Sequence, residues 1–208
     1  MMKQHLLIEG KRYSFSDYFN MSATAEEISQ AFEYRFQLTH LVYPHNLIVD
    51  PSLVEKIQSF YYRLRPRIKS HSEIAKREFM IAPLLHEIIL AVEADLNIEY
   101  PIDIDNYLNG VIDYVLQSTE KLIVIEAKKG DLDRGFNQLM VEMIALDHYE
   151  IIEQPPIIYG ALTIGEVWRF AQLERQEKRI TQDLNLFRFP QDVEALLAIF
   201  LGILKPQN

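Results

Sequence analysis

The chain has 208 residues, 49% of them hydrophobic, which is enough for one substantial core and short for two domains of ordinary size. It contains no cysteine, which excludes disulfides and thiolate-bound zinc, and its six histidines lack the paired spacing of a zinc site. The formal net charge of -9 argues against a general nucleic-acid coat protein, although a local basic face can still act because salt screens charges beyond roughly 8 Å.

Two apolar segments are too short to enter or cross a membrane. The first covers only Leu6 to Ile8 before Glu9, which is shorter than the apolar part of a secretory signal. The second, from Ala195 to Leu204, is about ten residues long, whereas a bilayer span needs about 20. We therefore expect a soluble, cytoplasmic protein without a membrane partner.

The first part of the chain is predicted to be mainly helical. Ser22 or Thr24 can cap a helix that runs to about Phe36, with apolar residues on one face. A second helix is expected from Pro51, a favoured first-turn residue, to near Leu64.

A long helix follows, and the pattern then changes to strands. Ser70 and Glu73 have the S-x-x-E spacing of a capping box, and apolar residues continue the helix toward Asp95. Those apolar residues are Ile74, Phe79, Ile81, Leu84, Leu85 and Ile88. Three short segments rich in Ile, Val and Tyr come next, separated by turns, which is typical of a strand meander. They cover residues 97–104, 111–116 and 122–128.

After Gly130 a helical pattern returns, followed by further strands and a last helix. The apolar positions of the first helix are Phe136, Leu139, Met140, Met143 and Ile144. Strands are expected at residues 157–164, 167–173 and 180–187, and Pro190 opens a final apolar helix. This order predicts an α/β (α+β) fold with a core of residues 70–208. Residues 1–69 are expected to form an N-terminal helical extension packed on that core, within one structural domain.

Two charged residues lie at the end of the strand at residues 122–128. Alternation places Glu126 and Lys128 on one face, and both faces begin apolar, which is typical of a buried central strand. Buried charges cost desolvation free energy unless a partner or a metal compensates. An ion pair or two solvent-facing charges is the structural alternative, and Glu9 and Lys11 repeat the same Glu-x-Lys pattern.

Asp113 interrupts the neighbouring apolar strand, and a simple turn would bring it beside Glu126 and Lys128 at one edge of the sheet. Two close carboxylates repel unless they share divalent cations, and Mg²⁺ keeps waters and completes its shell with substrate phosphate. The metal lowers the pKa of a bound water, while Lys128 can orient that water or stabilise the charge that develops on the phosphorane. The three residues predict a hydrolytic phosphodiester site.

These residues resemble the PD-(D/E)XK nuclease superfamily, which has an Asp on the second strand and Glu-x-Lys on the third. Its restriction-endonuclease-like core is a helix, a three-strand meander, a helix and a strand. The resemblance covers roughly residues 70–159 and implies Asp113, Glu126 and Lys128 as catalytic residues, with Asp113 and Glu126 binding Mg²⁺, for which Mn²⁺ can substitute. The residue before Asp113 is Ile112, where the family pattern has Pro.

The resemblance extends to the helices on either side of the meander. Glu73 begins an E-x-x-x-R stretch that ends at Arg77 and looks like one in nuclease domains of restriction-enzyme motor subunits. It implies that Glu73 is a catalytic residue and a further metal ligand, while the capping box is an equally good explanation and Glu78 is the competing helix carboxylate. Gln138 matches a Gln often found on the helix after the third strand, which implies a catalytic role; an exposed helix position is its alternative.

A basic run precedes the long helix and continues into it. It consists of Arg63, Arg65, Arg67, Lys69, Lys76 and Arg77. We interpret this run as a nucleic-acid-binding patch in which Tyr61 and Tyr62 can stack on bases. A solvated basic face with core tyrosines is the alternative.

We therefore expect a metal-dependent nuclease that hydrolyses phosphodiester bonds in DNA. The alternative is a catalytically inactive nuclease-fold module that binds DNA or protein, which the acidic net charge and the lack of a recognisable base-reading motif favour. The apolar C-terminal helix is in addition a candidate homodimer interface.

Overall fold

The computed structural model describes residues 6–44, 48–69, 72–118, 122–127, 130–149 and 155–205. The strands are β1 (Arg35–Thr39), β2 (Asp95–Asp103), β3 (Asn109–Gln117), β4 (Leu122–Ala127), β5 (Ile157–Thr163), β6 (Val167–Glu174), β7 (Arg179–Asp183) and β8 (Phe187–Arg188). The α-helices are α1 (Phe15–Asn20), α2 (Ala25–Ala31), α3 (Pro51–Leu64), α4 (Glu73–Lys76), α5 (Ala82–Val92), α6 (Leu132–His148) and α7 (Val193–Leu204). A 3-10 turn, Arg65–Arg67, follows α3, and a π-helical segment, Arg77–Ile81, joins α4 to α5.

All eight strands belong to one mixed sheet. Its order is β1-β7-β6-β5-β4-β3-β2, and β8 pairs with β6. The pairs β1–β7 and β4–β5 are parallel, and the other neighbours are antiparallel. The mixed α/β class and the three-strand meander expected from the sequence are therefore confirmed.

Helices cover both faces of the sheet. Apolar side chains of α1, α2 and α6 pack against one face, around residues such as Phe136 and Leu162. Those of α3, α5 and α7 pack against the other face, where Trp168 and Phe170 contact Phe200 with ring centroids 5.6 and 5.4 Å apart. Because both faces are covered, the middle strands are apolar on both sides, and a charged residue within them is exceptional.

The N-terminal part differs from the helical extension expected of it. Thr24 caps α2 as predicted, but the helix ends at Ala31, and Phe36 lies in β1. Glu33 has a left-handed backbone with φ of 66°, which stops the helix and turns the chain into the strand. Since β1 pairs with β7, this part of the chain contributes to the sheet itself.

The long helix is also less regular than predicted. Ile74 and Phe79, expected on its apolar face, are 71% and 43% exposed. The π-helical segment inserts an extra residue into the helical repeat and rotates the apolar face, so residues before and after it do not share one stripe. From Met80 onward the predicted apolar positions are buried.

The C-terminal helix α7 lies inside the core. Most of its apolar side chains are buried against the sheet and α5. The apolar side chains expected at a homodimer contact are therefore part of the core, so α7 is not the expected interface, and homodimer formation itself stays a prediction. In the part of the chain that the structure describes, no helix has the length and apolar character needed to span a bilayer.

Candidate active site

Strands β3 and β4 separate at the residues that carry the predicted carboxylates. Their antiparallel pairing ends with Tyr114 opposite Ile125. Beyond this pair β3 continues along β2, and β4 continues along β5. Asp113 and Glu126 are the next residues on the two strands, so the sheet places both where the strands diverge.

Glu126 is buried at this point and is held by helix α6. Its side chain is on the α6 face of the sheet, and the residue is 1% exposed. The side-chain amide of Gln138 donates a 2.8 Å hydrogen bond to Oε1 of Glu126 and a second, also 2.8 Å, to Oε1 of Glu142. Gln138 is 4% exposed, so the alternative of an exposed helix position is wrong.

Glu142 joins the site without having been predicted. It is fully buried, and burial, followed by the charge of Glu126, raises its pKa well above the ordinary range. The i, i+4 spacing from Gln138 places both residues on the same helix face. That spacing, beside the buried positions Leu139 and Met143, was the feature of the sequence that could have revealed it.

Asp113 is engaged by a cation from the opposite side of the sheet. Nη1 of Arg77 lies 3.2 Å from Oδ1 of Asp113, and Nη2 lies 3.7 Å from Oε1 of Glu99. The guanidinium also sits over the ring of Tyr114, 5.3 Å from its centroid. Arg77, predicted to contact nucleic acid, is therefore turned toward the carboxylates of the site.

Glu73 and Glu78, the two helix carboxylates considered from the sequence, lie at the edge of the site. The N-cap of α4 is Ser72, whose Oγ accepts from the backbone N–H of Ala75, so Glu73, predicted to form a capping box with Ser70, is the first helical residue. Ser70 itself lies outside the described residues. Glu73 is half-buried and, in the described part, makes no hydrogen bond or ion pair with Asp113 or Glu126; Glu78 is exposed.

The chemistry of the site suits a hard divalent cation, although its ligands are not fully assembled. Lys128 lies outside the described residues. Within the described ranges, no group of three or more His, Cys, Asp or Glu side chains converges to hold a metal. Oε2 of Glu142 and Oε1 of Gln138, however, are buried and have no hydrogen-bond partner in that part of the chain. Carboxylate and amide oxygens without donors are ligands that Mg²⁺ accepts.

A second cation, Arg169, lies on the same face of the sheet as Glu126. Glu126 on β4 is in register with Leu162 on β5, which is in register with Arg169 on β6. Residues in register across neighbouring strands share a face, so Arg169 stands two strands, roughly 10 Å, from Glu126. Its Nη1 lies 3.0 Å from Asp133 in the first turn of α6. No local pattern in the sequence singles out Arg169.

The remaining residues of the basic run divide into paired and exposed groups. Arg65 donates to Glu166 at 3.1 Å, and Lys76 packs beside Gly165. The residues exposed to solvent are Arg63, Arg67 and Lys69. Three of the six cations predicted to bind nucleic acid are thus exposed to solvent.

Aromatic side chains accompany these exposed cations. Tyr61 is buried and donates to Glu166, as its structural alternative required, whereas Tyr62 is 55% exposed. Phe60 and Phe79 line an apolar groove of about 320 Å³ between α3 and the π-helical segment. Phe60 also lines a second cavity with Arg63 and Arg67. Phe79 in this groove follows Arg77 by two residues along the chain.

Comparisons with known proteins add no relative to this description. No protein-family model matches the chain, and no curated protein matches it. The buried carboxylates and their neighbours are the features from which a function can be inferred.

Proposed function

We propose that the chain is a metal-dependent nuclease that hydrolyses phosphodiester bonds in DNA, built on a PD-(D/E)XK, restriction-endonuclease-like core. The observation that carries this proposal is the buried Glu126, which stands beside Gln138 and Glu142 where β3 and β4 diverge at Asp113. The order of elements from α4 to β5, namely helix, three antiparallel strands, helix and parallel strand, also supports it.

Each residue of the site has a role in the proposed reaction. Asp113 and Glu126 would hold Mg²⁺, or Mn²⁺ in its place, with Glu73 as a further ligand. The bound ion supplies Lewis acidity and a water of lowered pKa. Lys128, two residues after Glu126, would orient that water and neutralise the charge that develops on the phosphorane. Gln138 fixes the carboxylate of Glu126 by its hydrogen bond.

An exposed basic surface with aromatic side chains supports a nucleic-acid substrate. Because the chain carries a net charge of -9, a phosphate backbone must approach at a local basic region. Arg63, Arg67 and Lys69 provide such a region, and the exposed rings of Phe60 and Tyr62 can stack on unpaired bases.

Cleavage of DNA by the purified full chain tests the proposal. Linear, nicked, branched and single-stranded DNA would each be incubated with Mg²⁺ and with EDTA. We expect Mg²⁺-dependent cleavage of at least one substrate, and a loss of about 100-fold or more in Glu126→Gln and Lys128→Ala. Lys129→Ala is the matched control, because the alternation expected from the sequence predicts Lys129 on the other face from Lys128, and it should cleave like wild type. Cleavage of no substrate, or equal activity of Lys128→Ala and wild type, would refute it.

An inactive nuclease-fold module is the second candidate, and one observation favours it. Arg77 already neutralises Asp113, as a purely structural ion pair would. Calorimetry with Mn²⁺ separates the two functions. A nuclease should bind Mn²⁺ in a manner that Asp113→Asn and Glu126→Gln weaken, whereas the inactive module should bind none at these residues.

A further inference from the structure

Gln138 joins two carboxylates through one amide group. Its Nε2 donates at 2.8 Å both to Glu126 on β4 and to Glu142 on α6. The two carboxylates are therefore side by side, within a part of the protein where Glu126 is 1% and Glu142 is 0% exposed. Two buried carboxylates in contact repel each other strongly unless a positive charge or a proton lies between them.

Two oxygen atoms on these side chains have no hydrogen-bond donor in the part of the chain that the structure describes. Oε2 of Glu142 and Oε1 of Gln138 are both buried and accept no hydrogen bond within the described residues. An unsatisfied buried acceptor costs free energy, and two of them in one place are rare unless an ion or a water belongs there. A proton shared by the two carboxylates would relieve their repulsion but would still leave Oε1 of Gln138 without a donor.

The packing of α6 brings these oxygens to the sheet. Gly160 on β5 faces the helix, and a Cβ at this position would lie only 2.5 Å from Sδ of Met143. Glycine therefore permits a close approach of α6 to the middle of the sheet. Because Met143 directly follows Glu142, the same approach fixes Glu142 next to Glu126.

We propose that Glu142 is a further ligand of the metal centre, which binds the ion together with Glu126 and the side-chain oxygen of Gln138. This assignment rests on the proposed nuclease function and extends its ligand set from the strands to helix α6. Mg²⁺ and Mn²⁺ are the chemical class of ion that such oxygens select. Asp113 completes the centre from the neighbouring strand, and Gln138 spaces the two glutamates.

Manganese binding by Glu142→Gln tests the assignment. Glutamine keeps the shape of the side chain and removes its charge, so the metal-free protein should melt at the same or a higher temperature than wild type in EDTA. The Mn²⁺ dissociation constant, measured by calorimetry, should rise at least tenfold, and the increase of melting temperature on adding Mn²⁺ should shrink. The melting temperature in EDTA would thus stay the same or rise while the affinity for Mn²⁺ falls. The loss of a merely structural residue would not produce this combination.

Asp147→Asn is the matched control on the same helix. Asp147 pairs with Arg175 and accepts from Tyr34, near the far end of α6. This variant should melt at a lower temperature in EDTA and bind Mn²⁺ like wild type. If it weakens Mn²⁺ binding as much as Glu142→Gln does, a general loosening of α6 explains both, and the assignment is wrong.

A measurement on the wild-type chain covers the case in which Glu142→Gln does not fold. In crystals of the wild-type protein soaked with Mn²⁺, an anomalous difference peak should lie about 2.1 Å from a carboxylate oxygen of Glu142 as well as of Glu126. A peak that is bound by Glu126 but out of bonding reach of both Glu142 oxygens overturns this assignment and leaves the nuclease proposal standing. If wild type binds no Mn²⁺ at all, both fail together.

Discussion

The guanidinium of Arg77 lies 3.2 Å from the carboxylate of Asp113, and both side chains are largely shielded from solvent. Asp113 is thus neutralised in a way that a divalent cation would have to replace or share. The contact links a helix on one face of the sheet to a carboxylate whose neighbours, Glu126 and Glu142, are reached from the other face.

Replacement of Arg77 by Gln should therefore have opposite effects on folding and on metal binding. Without Mn²⁺, the free energy of unfolding should fall by about 1–3 kcal/mol, because Asp113 loses its partner. The affinity for Mn²⁺ should rise, because no cation competes for Asp113. Chemical denaturation in EDTA and calorimetry measure the two effects.

Arg188→Gln is the control for this variant, because Arg188 forms an exposed pair with Asp192. Exposed pairs contribute about 0–1 kcal/mol, so this variant should unfold nearly like wild type and bind Mn²⁺ unchanged. An Arg77→Gln protein that binds Mn²⁺ no more tightly than Arg188→Gln would contradict competition at Asp113.

The pH dependence of stability should report the buried Glu142. Burial and the charge of Glu126 raise its pKa in the folded chain, so the folded state holds its proton more tightly than the unfolded state. Above the ordinary glutamate pKa of about 4.3, this difference makes wild type less stable as pH rises, until the pH exceeds the raised pKa.

Glu142→Gln has no such titration at position 142. In EDTA, its free energy of unfolding should exceed that of wild type by an amount that grows as the pH rises above the ordinary glutamate pKa of about 4.3 and levels off above the raised pKa. Urea denaturation across this range measures the difference. Parallel curves for the two proteins would show that Glu142 titrates alike in the folded and unfolded chains.

Reversal of two exposed charges should weaken nucleic-acid binding. Arg63→Glu with Arg67→Glu should lower the affinity for single-stranded DNA and reduce the slope of log K against log salt by about 0.7 for each lost phosphate contact. Neither substitution is in the proposed metal centre, so the cleavage rate at saturating DNA should stay near that of wild type. Fluorescence anisotropy across a salt series measures the slope.

The matched control reverses Arg35 and Lys178, which lie at the opposite end of the sheet, near Glu177. This control changes the net charge by the same amount as Arg63→Glu with Arg67→Glu. If both double variants lose affinity equally, the effect comes from overall charge, and the basic patch has no special role.

Local signals in the sequence predicted most of the secondary structure. Asp50 and Pro51 start α3, and Thr24 caps α2, because capping depends on residues only a few positions apart. The strand β1 was missed for the opposite reason. Its partner β7 is far along the chain, as the hydrogen bond between Gln37 and Thr181 shows, and no local pattern encodes such a pairing.

The site was only partly accessible to sequence reasoning. The sequence correctly predicted that Asp113 lies on the strand next to that of Glu126. Side-chain alternation and the short connection between β3 and β4 fix the register of this pair. The burial of Glu142 and the orientation of Arg77 toward Asp113 depend on how helices on the two faces of the sheet pack against it. A charged residue on a helix is by default expected in solvent, and only packing shows that Glu142 is not.

A crystal structure of the protein grown or soaked with Mn²⁺ tests the metal centre most directly. We predict an anomalous difference peak at the divergence of β3 and β4, about 2.1 Å from carboxylate oxygens of both Asp113 and Glu126, with Arg77 released from its contact with Asp113. No anomalous peak at this position, with Arg77 still paired to Asp113, would contradict the proposed metal-dependent nuclease.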